Sequence, residues 1–238
     1  MPDPLTPILQ QWTRLGVMFD SAPARETPDI ERLLLATARH APSMARLFVM
    51  ATTWLSEYSD VIARHRLAHL IRTELDPANH ATLGLLLTLA QDGLRPGSFA
   101  TITRLLTPER TPRPLFDIEA SRPLLIHRTQ STASPASLQW GLWCAPLTLK
   151  PRALRPPAWI MQHNPALITR ADFRGDLRAS ILAALLHDDG AGTSELHLAR
   201  ASGGSRAQVR AALRNLELTG RVQRLRLERR TQITPTAA

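Results

Sequence analysis

Among 238 residues the chain carries one cysteine (Cys144), one tyrosine and one lysine (Lys150). A single cysteine excludes an internal disulfide and any zinc site built on several cysteines. The longest apolar run, Ala81 to Ala90, is too short to cross a bilayer. The opening Met-Pro-Asp-Pro-Leu-Thr-Pro lacks the basic stretch and apolar core of a secretory signal. No phosphate-binding glycine loop, Gly-x-Ser-x-Gly elbow or Cys-x-x-Cys pair occurs. His65 and His69 stand four apart on a helical stretch, but no protease glutamate and no third ligand accompany them, so they read as a surface or core-edge pair. Cys144 reads as a small buried hydrophobe, and His187-Asp188-Asp189 as a helix end that caps and is solvated. These absences predict a non-enzymatic bacterial protein of the cytoplasm, with no cofactor, no metal and no membrane partner.

What is present is helical periodicity and arginine. Asp29 is placed to cap a helix carrying Ile30, Leu33, Leu34 and Ala38, broken at Pro42. Ser43 opens a second, with Leu47, Met50, Ala51, Trp54 and Leu55 in step. Val61–Leu75 supplies a third, and 78–90, apolar nearly all round, is expected to be the most buried. Gln91-Asp92-Gly93 ends it, and Ser98–Leu106 reads as one more short helix. The fold class expected is therefore mainly α, with residues 1–106 a helical bundle or array. Between 107 and 165 lie ten of the chain's 19 prolines and three of its five tryptophans. Proline disfavours helix interiors and central strands, while dense tryptophan anchors a segment onto something apolar. The segment reads as an ordered, irregular connector, with Pro123–His127 and Leu138–Leu149 as extended pieces that form a small sheet or wrap over the bundle.

From 166 to 238 the pattern changes again. Leu177, Ile181, Leu182 and Leu185 line one helix face, stopped by Gly190 and Gly192. Thr193 or Ser194 caps the next helix, which buries Leu196 or Leu198 with Ala199. Gly203-Gly204 turns the chain, Ser205 caps a helix to Leu218, and Gly220 ends it. Val222–Leu227 and Thr231–Ile233 read as a hairpin. From Arg200 to Arg230 there are nine arginines and two acids, a net +7 of the chain's +9. Because 28 of the 29 basic residues are arginine, arginine abundance by itself carries little; its clustering in one small module marks a polyanion-binding surface.

This C-terminal pattern resembles the winged helix-turn-helix domains of small bacterial repressors, of the ArsR-like and MarR-like kinds, over about a quarter of the chain. The likeness rests on Ala199 in the first helix of the motif, Gly203 at the turn, Ser205 as cap, Val209, Leu213 and Leu216 on the buried side, and Gly220-Arg221-Val222 entering the wing. The chain departs from the family at Gly204, where an apolar plug is usual, at Arg221, where leucine or isoleucine is usual, and at a wing tip without Gly or Asn-Gly.

The resemblance implies that 205–218 is a recognition helix for double-stranded DNA. At about 100° per residue, Ala207 and Ala211 oppose its core, small enough to approach thymine methyls, with Gln208 beside them for an adenine edge. Arg206, Arg210 and Arg214 form a flanking stripe suited mainly to phosphates, Arg214 being the nearest to a guanine. Arg224, Arg226, Arg229 and Arg230 follow along the wing as backbone or minor-groove contacts. The function implied is transcriptional regulation, as a repressor, with a homodimer or a protein partner engaged through the N-terminal region. The alternative is a non-catalytic adaptor or DNA-holding subunit of a bacterial defence or toxin–antitoxin assembly.

Overall fold

The computed structural model describes residues 3–91, 97–227 and 230–236. It is mainly helical. The helices are α1 (Leu5–Arg14), α2 (Ile30–His40), α3 (Ala45–Tyr58), α4 (Arg64–Glu74), α5 (His80–Gln91), α6 (Ala100–Thr103), α7 (Asp117–Ala120), α8 (Pro123–Ser131), α9 (Pro135–Gln139), α10 (Pro157–His163), α11 (Ala166–Asp172), α12 (Leu177–His187), α13 (Glu195–Ser202) and α14 (Arg206–Leu218). Among the described residues four strands accompany them: β1 (Arg113–Pro114) pairs in parallel with β2 (Leu142–Trp143), and β3 (Val222–Leu227) pairs antiparallel with β4 (Arg230–Pro235). Contacts group the chain into two units, 1–59 with 74–163 and 60–73 with 164–238. Most of α4 thus belongs with the C-terminal elements, and the 107–163 segment with the N-terminal ones.

The first unit is organised on α5, whose residues 81–87 and Ala90 are all buried. A helix apolar on every side has no solvent face to offer, and α2 and α3 pack against it. Asp29 caps α2 by accepting from the Arg32 N–H at 3.2 Å. Ser43, expected to open α3, lies instead in a short 3-10 turn, and Met44 takes the cap position without a side-chain bond. Trp12 and Trp54 meet edge to face with centroids 5.7 Å apart. Each satisfies its indole N–H: Trp12 donates to Thr37 Oγ1 and Trp54 to the Leu15 carbonyl, both at 2.9 Å.

The proline-rich segment is ordered, as its tryptophans suggest. The ring of Trp140 occupies the space a side chain on Gly84 of α5 would fill, and its indole N–H donates to Thr88 Oγ1 at 2.9 Å. The reading of Pro123–His127 as extended is corrected: these residues are the first half of α8, with Pro123 at its N-terminal end. There the missing N–H costs nothing, because the first helical amides have no intrahelical acceptor. Leu142–Trp143 does pair as a strand. Cys144 is buried. Burial first, and the charge of Glu119 second, push its thiol up to about 12, so it stays protonated at neutral pH.

In the second unit Ile181, Ala184, Leu198, Val209, Leu213, Leu216, Val222 and Ile233 form one core drawn from α12, α13, α14 and the hairpin. Leu198 is the buried leucine of α13, and Leu196 faces outward. Ser194 rather than Thr193 caps α13, accepting from the His197 N–H at 3.2 Å. Asp188 is the C-cap residue of α12, as expected, but its side chain is paired rather than solvated. It receives two hydrogen bonds from the fully buried Arg66 of α4, at 2.9 and 3.0 Å. His65 is exposed and His69 half-buried, and no group of three metal-binding side chains exists among the described residues.

Candidate nucleic-acid interface

The turn between α13 and α14 explains why two glycines stand together. Gly203 has φ +76°, and a Cβ there would run into the His65 carbonyl of α4, so both conformation and space demand glycine. Gly204 has ordinary backbone angles, but a Cβ on it would meet the Leu177 methyls at 2.8 and 2.9 Å. Leu177 of α12 therefore fills the volume that an apolar plug at position 204 would otherwise take.

Ser205 then starts α14 with a capping box. Its Oγ accepts from the Gln208 N–H at 3.3 Å, and Gln208 Oε1 accepts from the Ser205 N–H at 3.0 Å and hydroxyl at 2.8 Å. The box is legible in the sequence as Ser-x-x-Gln, and it gives Gln208 a capping role beside the base-reading one that the family resemblance implies. Its carbonyl oxygen is engaged with the cap. Val209, Leu213 and Leu216 are fully buried, while Arg206, Ala207, Gln208, Arg210, Ala211 and Arg214 are exposed, as the helical spacing predicts. The same outward pole continues to Leu218, which is 87% exposed.

The arginines divide into two groups. Glu195, in the first turn of α13, binds Arg210 of α14 at 3.0 Å and Arg224 of β3 at 2.9 Å. Arg224 is also held by Glu217 of α14. Burial pushes the Glu195 carboxyl up, but the hydrogen bonds and charges of Arg210 and Arg224 outweigh it and hold the group below the usual carboxylate range. By contrast, Arg200, Arg206 and Arg214 have no acidic partner among the described residues. The charge count from Arg200 to Arg230 begins five residues after Glu195 and so leaves this acid out.

On the hairpin, β3 and β4 pair from Val222↔Pro235 to Leu227↔Arg230. Arg229 lies outside the described residues, as do the side chains of Arg226 and Arg230, although their backbones belong to β3 and β4. Gly220, with φ +66°, supplies the left-handed step between α14 and β3. Arg221, the next residue, has its main chain fixed on both sides: its N–H donates to the Leu216 carbonyl at 2.8 Å, and its carbonyl accepts from Thr236 at 3.0 Å.

The face thus combines a helix with small residues at its outward pole, two flanking arginines without an acidic partner among the described residues, and a paired set toward the hairpin. Compared with family models, curated proteins and solved structures, the chain matches none.

Proposed function

We propose that the C-terminal unit is a winged helix-turn-helix that binds double-stranded DNA through α14 and the β3–β4 wing, and that the protein is a transcriptional repressor. The observation that carries this reading is the outward face of α14. Ala207 and Ala211 leave room at its pole while Arg206 and Arg214 stand beside them without a described acidic partner. Small residues let a helix approach the floor of the major groove, and flanking guanidinium groups meet the phosphates. A homodimer formed through the N-terminal region would present two such helices about 34 Å apart, one turn of the duplex.

Fluorescence anisotropy on a labelled duplex across a salt series tests it. Binding is expected to weaken linearly in log salt, with a slope of about −0.9 per phosphate contacted. The Arg206→Ala/Arg210→Ala/Arg214→Ala variant is expected to lose most of the affinity and to flatten that slope by about 2–3. Absence of binding at low salt, or an unchanged slope in the variant, defeats the proposal.

Leu218 favours a second reading, in which the unit is a non-catalytic adaptor. A large apolar side chain 87% exposed on the outward pole suits a protein partner better than a groove. In that case Leu218→Glu abolishes partner binding, and the duplex is not bound at any salt concentration.

A further inference from the structure

At the root of the hairpin the second unit has a cavity of about 340 Å³. Ala166 of α11, Leu182 and Leu186 of α12, and Pro235 at the end of β4 form its apolar wall. Arg221, Thr169 and Thr236 supply its polar side. Leu186, one of the wall residues, is 47% exposed. That volume lies at the low end of the roughly 300–1,000 Å³ of small-molecule pockets, so the occupant it suits is a small one.

The polar side has a defined sign. The Arg221 guanidinium donates to Thr169 Oγ1 at 3.3 Å and reaches the Asp172 carboxylate only at 3.5 Å. Well-formed guanidinium–carboxylate pairs close to about 2.7–2.9 Å, and both partners here are largely exposed, at 42% and 55%. Asp172 is thus a loose partner that another carboxylate can displace. A leucine or isoleucine at 221 would leave only Thr169 and Thr236 as polar lining, with no charge; arginine gives the cavity a cationic head above an apolar floor.

We propose that this cavity binds a small organic carboxylate with an apolar body, its carboxylate on Arg221 and Thr169 and its body against Leu182, Leu186, Ala166 and Pro235. Gly220–Arg221 and Pro235–Thr236 are the two ends of the hairpin, so an occupant ties the hairpin's root to α11 and α12.

The test is calorimetric titration of the full-length protein with 3-phenylpropionate, 3-phenylpropan-1-ol and 3-phenylpropylamine, three probes of one shape and different charge, with amide shifts locating the site. The carboxylate is expected to bind at least about tenfold more tightly than the alcohol, and the amine least, with shifts at Thr169, Leu186 and Arg221. Arg221→Leu, and the more conservative Arg221→Gln, are expected to bring the carboxylate-to-alcohol ratio to about one. Ala166→Phe, which fills the cavity from its half-buried rim, is expected to abolish binding of all three. Equal binding of acid and alcohol by the native protein, a preference that survives both Arg221 variants, shifts confined to other residues, or no binding by any probe overturns the proposal. Binding is read without DNA, so its failure is distinct from failure of the DNA-binding reading.

Discussion

Glu195 decides how much of the arginine cluster is available to a polyanion. With Arg210 and Arg224 both bound to it, and Glu217 added on Arg224, those four side chains carry no net charge between them. A phosphate that recruits either arginine must first displace a carboxylate. Glu195→Gln keeps the side chain's size and removes that competition at Arg210, while Arg224 keeps Glu217. If the second unit binds DNA, this variant is expected to raise non-specific duplex affinity at low salt several-fold and to steepen the salt slope by about 1, read by the same anisotropy series. An unchanged slope would show that Arg210 does not meet phosphates. Because the Glu195 carboxyl is held below its unfolded value, the pair's contribution to stability is in full force above that value. It is lost as pH falls through the folded one. Native and Glu195→Gln stabilities should therefore differ by about 1 kcal/mol at neutral pH, in keeping with a partly exposed ion pair. The two should converge in acid.

At the scale of elements, most of what local chemistry specifies was legible in the sequence. Asp29, Ser205 and Gly220 sit at the helix ends where their cap chemistry puts them, and the hairpin pairs over the residues read as strands. α5 is buried all round, as its composition requires. The errors are of two kinds. Pro123 reads as a sign of extended chain, although proline serves equally at a helix start, and nothing in five residues distinguishes the cases. Asp188 reads as solvated in the sequence because its partner, Arg66, is 122 residues away, and no local pattern reports a pairing at that distance. That pairing makes a prediction for how α4 meets α12. Arg66 is fully buried, so Asp188→Ala removes its bidentate carboxylate and is expected to cost about 3–5 kcal/mol in denaturant unfolding. Adding Arg66→Met should recover much of that loss, since an apolar pair needs no compensating charge. A cost below about 1 kcal/mol for Asp188→Ala would mean that the pair is not what fixes α4.

For the molecule as a whole, the consequential fact is that the unit with 164–238 also contains 60–73. Composition places the basic module at the C-terminus, and within the described contacts that module is discontinuous in sequence. Three features tie α4 and the residues before it to the rest. Gly203 is kept side-chain-free by the His65 carbonyl, Gly175 (φ +73°) by the Ile62 carbonyl, and Arg66 is paired with Asp188. The charge follows the same division. The second unit holds fifteen basic and eight acidic residues, a net +7 of the chain's +9, of which 60–73 contributes three arginines and one aspartate. A fragment starting at residue 164 would keep the α12–α14 core and the hairpin but lose all three ties. It is expected to unfold at a clearly lower temperature and less cooperatively than the same fragment carrying residues 60–73 on a flexible glycine–serine linker, with circular dichroism as the readout. Equal midpoints for the two fragments would show that α4 is merely adjacent. A higher midpoint with the helix restored would establish that the folding unit is assembled from both stretches, and that any truncation meant to isolate the basic face has to carry α4 with it.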